Sequence, residues 1–257
     1  MVPVTMEVEA MISDETKRKL RELNLSELIN GLELQQQDIQ CVSLPFDERL
    51  QMLTDYLYQE KYNGRVQRLI KASKFRYPEA DINSIAYEGR ALERNQMIEL
   101  STCQFIHSNA DVIFQGYAGI GKTYLACAIG KQACKQQFST QYIRLTDLLV
   151  LRDEMRLIHG NDMKLLKKFS RYKLLILDEW LADELTEKDL HFILELTERR
   201  HDCTSTIFCT QYKLEEWHGR LGGNIRADNI MDRIVHNAIW IYPGDKNMRK
   251  YYARQTK

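Results

Sequence analysis

The 257-residue chain has little that breaks or staples a fold. It holds 4 prolines, 12 glycines and 6 cysteines, and no two of the cysteines form a Cys-x-x-Cys pair or stand near histidine at metal-ligand spacing. So little proline and glycine excludes collagen-like and low-complexity chains. The cysteine spacing supplies neither a disulfide scaffold nor a zinc site, so Cys41, Cys103, Cys127, Cys134, Cys203 and Cys209 read as reduced, mostly buried thiols. Charge of one sign is lacking too: 36 basic residues balance 36 acidic ones, which leaves only local basic patches for nucleic acid. No uncharged apolar run approaches the roughly 18 residues of a membrane span, and residues 1–11 carry Glu7 and Glu9 without a signal-peptide core. The expectation is a soluble cytoplasmic protein.

What is present is 44% hydrophobic and 28% charged, enough for one sizeable core and a small appendage. From residue 13 to about 76 the apolar positions recur at helical spacing with no strand pattern. Ser13 or Asp14 can cap a helix carrying Leu20 and Leu23, Ser26 one carrying Leu28, Ile29 and Leu32, and Pro45 opens a third with Phe46, Leu50, Leu53 and Leu57. The third can continue through 61–76, where Lys61, Arg65, Arg68, Lys71, Lys74 and Arg76 occur without an acidic residue. Such a run is either a solvated face or a phosphate-contacting surface, with Arg68 the candidate contact. The chain thus divides into a helical domain over 1–78, a linker over 79–90 and an α/β domain over 91–257.

Beyond residue 91 helices alternate with short apolar runs at 111–115, 140–144, 173–178, 204–210 and 237–242. These predict five buried parallel strands with crossover helices, an α/β sheet. The first strand runs into Gly116-Tyr117-Ala118-Gly119-Ile120-Gly121-Lys122-Thr123 and then a helix-like segment from Tyr124, which is G-x-x-x-x-G-K-T in its strand–loop–helix setting. The glycines let backbone N–H groups turn inward around phosphates, and the helix adds its positive end. Gly116, Ala118, Gly119, Ile120, Gly121, Lys122, Thr123 and Tyr124 are therefore the candidate nucleotide contacts. Lys122 is expected to reach the β- and γ-phosphates and the Thr123 hydroxyl to bind Mg²⁺.

Downstream, Leu174-Leu175-Ile176-Leu177-Asp178-Glu179 is a buried strand ending in two carboxylates. Asp178 can hold the Mg²⁺ shell, and Glu179 can orient or deprotonate the attacking water; the plainer reading is a strand that ends at the surface. The strand over 204–210 ends at the same edge with Thr210 and Gln211, either strand-capping residues or reporters of the γ-phosphate. Arg233, with Arg226 competing, is placed either to reach a neighbouring subunit's phosphate site or to make a surface ion pair. Between the second and third strands a helical insertion, 147–171, carries Arg152, Arg156, Lys164, Lys167, Lys168 and Arg171. Over 144–173 eight basic residues stand against four acidic ones, a balance suited to phosphate contacts with little sequence preference.

In order and spacing these motifs resemble the IstB family of transposition helper ATPases, itself similar to the DnaC-type helicase loaders within the AAA+ superfamily. The resemblance also rests on Leu-Asn-Leu-Ser-Glu-Leu at 23–28, Leu-Pro-Phe-Asp-Glu-Arg-Leu at 44–50, Glu198-Arg199-Arg200 leading to Ser205-Thr206-Ile207, Glu216-Trp217, and Ile230-Met231-Asp232-Arg233-Ile234. It implies an AAA+ core with strand order 5-1-4-3-2, and Arg233 as an arginine finger. It further implies an ATP-dependent homo-oligomer on duplex DNA that serves a DDE transposase. Three departures accompany it: Tyr117-Ala118 where the family has proline in the loop, Gln211 where it has Asn, and Lys246-Asn247-Met248-Arg249 keeping only the arginine of a Ser-x-Arg motif. A full C-terminal lid is not expected. The second reading is a helicase loader acting on single strands. A P-loop nucleotide kinase lacks its Arg-rich lid here, and a GTP switch lacks Asn-Lys-x-Asp.

Overall fold

The computed structural model describes residues 12–255, which fall into two compact units dividing between Arg65 and Val66. The leader reading for residues 1–11 lies outside the described residues. Within those residues no helix is long and apolar enough to cross a membrane.

The first unit is helical: α1 (Asp14–Glu22), α2 (Ser26–Gln37), α3 (Ile39–Val42) and the greater part of α4 (Phe46–Ser73). Ser13 caps α1, its hydroxyl accepting the Thr16 N–H at 3.2 Å. The crossing of α2 and α4 needs Gly31, because a Cβ there would stand 2.8 Å from the Tyr56 ring. Polar ties fix the pair: Gln35 Nε2 donates to the Arg49 carbonyl at 2.9 Å, and Lys61 reaches the Asn24 carbonyl at 2.8 Å and Glu27 at 3.1 Å.

The second unit follows the alternation read from the sequence. Its elements are α5 (Arg94–Ser101), α6 (Gln104–His107), β1 (Asp111–Gln115), α7 (Lys122–Lys135), β2 (Thr140–Arg144), α8 (Leu145–His159), α9 (Met163–Ser170), β3 (Leu174–Trp180), α10 (Glu187–Arg200), β4 (Ser205–Thr210), α11 (Leu214–Arg220), α12 (Ile225–Val235), β5 (Ala238–Ile241) and α13 (Met248–Gln255). All strand pairs are parallel, and the order β2-β3-β4-β1-β5 is the 5-1-4-3-2 arrangement named from its other edge. Successive side chains of a strand point to opposite faces. Accordingly Val112, Phe114, Leu174, Ile176, Ile207 and Cys209 enter the core beneath α7, while Ile113, Leu175, Leu177 and Phe208 enter the one beneath α8, α9, α10 and α12. At Gly130 a Cβ would meet the Phe75 ring at 2.6 Å, so this glycine lets α7 settle on the sheet.

Two details bear on the site. Residues 79–90, read from the sequence as a linker, lie inside the second unit, with Ala80 and Ile85 in the same core as Leu125 and Ile129 and a 3-10 turn at Ile82–Ser84. The strand expected to stop at 178 continues to Trp180 through an irregularity between Leu177 and Trp180, where Glu179 takes φ of 56°. A non-glycine residue in the left-handed region is strained backbone, and such strain gathers at functional positions.

Candidate nucleotide-binding site

Parallel strands of an open α/β sheet present their C-terminal ends to one crevice, and here the crevice is a cavity of about 280 Å³ over the ends of β3 and β4. The loop from β1 to α7 forms one wall. Gly119 and Gly121 adopt φ of 85° and 96°, which a side chain would strain, and Gly121 caps α7. Lys122 Nζ folds back into the loop, donating to the Gly116 carbonyl at 2.5 Å and the Tyr117 carbonyl at 2.9 Å. Burial pulls the Lys122 ammonium below its ordinary pKa, opposed by Cys209 and Asp178 and assisted by Arg249.

Asp178 stands across from the loop, 2% exposed. Its Oδ2 accepts the Thr123 hydroxyl and the Tyr142 hydroxyl, each at 2.8 Å, and its Oδ1 accepts the Glu179 N–H at 3.0 Å. The Thr123 hydroxyl and the Asp178 carboxylate are hard oxygen donors meeting at the cavity wall, a set that fits Mg²⁺. Glu179 is half-buried beside them, with Arg76 Nη1 at 3.4 Å and Arg144 Nη1 at 3.8 Å from its carboxylate.

Of the expected contacts, Ala118, Gly119, Gly121, Lys122, Thr123, Tyr124, Asp178, Glu179 and Gln211 line the cavity. Gly116 and Ile120 do not. Ile120 is 1% exposed and anchors the loop, its carbonyl accepting Arg90 Nη2 at 2.7 Å. Thr210 is turned inward, its hydroxyl donating to the Trp180 carbonyl at 3.0 Å, which leaves Gln211 as the polar group at the end of β4. Arg233 lies on α12 away from the cavity, paired with Glu198 and donating to the Asn229 carbonyl at 2.8 Å, and Arg226 pairs with Glu187.

Arg76, Tyr77, Ile85, Arg90, Arg249 and Tyr252 also line the cavity; of these only Arg249 carries a sequence signal, as the arginine kept from the Ser-x-Arg motif. In the sequence Arg76 stands only as part of a basic run. Arg90 is a clamp: besides Ile120 it donates to the carbonyls of Ala86 at 3.1 Å and Pro243 at 3.2 Å. Arg249 and Tyr252 come from α13, which docks on the loop through the Met248 N–H and the Gly119 carbonyl at 2.8 Å. Among the described residues this single helix follows β5.

The insertion forms α8 and α9, and its basic residues part company. Lys164, Lys167, Lys168 and Arg171 line one open groove with Ser139 and Tyr172. Arg156 is partly buried and paired with Asp162 at 2.7 Å. Arg152, expected at a phosphate, is instead buried at 2% exposure between Asp189 at 2.6 Å and Asp153 at 2.7 Å. Its guanidinium joins α8 to α10 and is spent on those carboxylates. Burial would raise Asp189, but hydrogen bonds from Thr186 and the charge of Arg152 hold it below the ordinary carboxylate value. Arg68 is exposed on α4.

Comparison with known proteins follows the same lines. The sequence profile of the family described as "IstB-like ATP binding protein" matches residues 18–256. A Pseudomonas fluorescens protein named for insertion sequence IS1162 and for ATP binding is 32% identical over 204 residues, covering 78% of this chain and 87% of its own. A Sinorhizobium fredii protein, y4uH, also named for an insertion sequence and ATP binding, is 28% identical over 93% of this chain and 96% of its own. Among solved structures the DnaC helicase loader superposes with a TM-score of 0.54 at 22% identity, over 65% of this chain and 98% of that one, so this chain shares that structure's P-loop α/β fold.

Proposed function

Because this chain belongs to the IstB-like ATP-binding protein family, we propose that it is an ATP-hydrolysing transposition helper. In this reading it assembles on duplex DNA when ATP is bound, recruits a DDE transposase, and comes apart after hydrolysis. One observation carries the catalytic half: Lys122, the Thr123–Asp178 pair and Glu179 converge on one cavity, with Glu179 held in a strained conformation at its rim. The insertion-sequence names of the relatives support the transposition half.

Each step draws on groups already in place. Lys122 leaves the Gly116 and Tyr117 carbonyls for the β- and γ-phosphates, exchanging neutral acceptors for anionic ones, to which an ammonium is drawn more strongly. Thr123 and Asp178 would hold Mg²⁺, which when bound would supply positive charge against the phosphate oxygens. Glu179 orients the attacking water and takes its proton, once its carboxylate is free of Arg76 and Arg144. Gln211 contacts the γ-phosphate or that water from the end of β4. Arg233 serves a neighbouring subunit's phosphates, exchanging Glu198 for them on assembly. Lys164, Lys167, Lys168 and Arg171 in the α9 groove, together with Arg68, contact the DNA backbone; Arg152 is buried against Asp189 and Arg156 is engaged by Asp162.

The test is Glu179→Gln. It should bind ATP within about threefold of wild type while hydrolysis falls at least ~100-fold, because only the water-activating carboxylate is lost. Hydrolysis at the wild-type rate would remove Glu179 from the mechanism.

A further inference from the structure

Resting on the nucleotide-site reading above, we infer that Tyr142 is a positioning residue for the Mg²⁺-binding carboxylate of Asp178. A carboxylate at a strand end can rotate about its terminal torsion, and this torsion has no sharp intrinsic minimum. Something must choose the rotation that presents one oxygen to the cation. The Thr123 hydroxyl can still donate to Oδ2 while a lone pair of its oxygen ligates Mg²⁺, but it is then placed by the cation rather than placing the carboxylate beforehand. The Glu179 N–H fixes only Oδ1, from a strained turn. Tyr142 is the remaining donor, at 2.8 Å to Oδ2.

Its placement follows from register. Tyr142 pairs with Ile176, and Arg144 with Asp178, on adjacent parallel strands. The period of two therefore puts Tyr142 on the same sheet face as Asp178 and under α7, where its ring is 8% exposed.

Tyr142→Phe removes the hydroxyl and keeps the ring. The readout is binding of a fluorescent ATP analogue in EDTA and across a Mg²⁺ series, with ATPase rates and thermal unfolding in parallel. The expected result is affinity in EDTA within twofold of wild type, and a Mg²⁺ concentration for half-maximal binding raised about tenfold, the scale of one hydrogen bond to a charged group. ATPase should be lowered at limiting Mg²⁺ and recover when Mg²⁺ is raised. An unchanged Mg²⁺ midpoint would overturn the inference while leaving the ATPase reading standing. Equal losses with and without Mg²⁺, together with a lowered unfolding midpoint, would mean that the hydroxyl only supports the fold and would overturn it equally. A wild-type chain that bound no nucleotide would overturn the site reading first and the inference with it.

Discussion

Lys122 shows most plainly how one residue is held ready. Its ammonium is buried, satisfied by two loop carbonyls, and depressed in pKa because desolvation outweighs its anionic neighbours. A buried cation on neutral acceptors adds little to the fold but much to an anion that replaces them. Lys122→Met should accordingly leave the nucleotide-free unfolding midpoint unchanged or slightly raised. At the same time it should abolish the stabilisation that saturating ATP gives, a term that grows as the logarithm of ligand over Kd. Thermal unfolding with and without ATP checks both; a retained ATP shift would contradict the role given to Lys122. This residue was legible in the sequence because its motif fixes spacing along one chain segment. Tyr142 was not, since its partner is set by register between two strands, which no local pattern states.

Among the elements, the α8–α9 insertion is where expectation and structure diverge most usefully. The insertion's charge balance points to six basic side chains, but burial depends on which way each helix face turns. Arg152 faces α10, where Asp189 and the Phe192 ring receive it, and Leu165, Leu166 and Phe169 turn the other way to seat α9 on the core. What remains outward is Lys164, Lys167 and Lys168, on one groove with Arg171. Changing those three lysines to alanine should weaken duplex binding across unrelated sequences alike. It should also make the log–log salt slope shallower by roughly 0.9 for each phosphate that a subunit ceases to neutralise. Unaltered slope and affinity would place the DNA elsewhere on the protein. The strand boundaries, by contrast, are legible to within two residues, because a fully buried parallel strand is a bounded apolar run. The largest departure is the C-terminal end of β3, where the irregularity that strains Glu179 carries pairing on to Trp180.

For the whole molecule, sheet order was implied by family resemblance and is observed, whereas unit boundaries depend on packing that composition does not report. The segment 79–90 looks linker-like in sequence, yet Ala80 and Ile85 are buried and Arg90 clamps the phosphate loop. Assembly is the level at which the account stands or falls, because Arg233 lies outside its own chain's cavity and a chain of 36 positive and 36 negative charges has no net attraction for DNA. Tight duplex binding then requires many subunits side by side, each adding a few phosphate contacts at high local concentration. The most direct measurement follows assembly size on labelled double-stranded and single-stranded DNA of equal length, with no nucleotide, with ADP and with ATP. The account predicts large assemblies on the duplex with ATP alone, tolerant of sequence. Assembly confined to single strands, or indifferent to the nucleotide, would contradict it and favour a helicase loader or a role away from DNA.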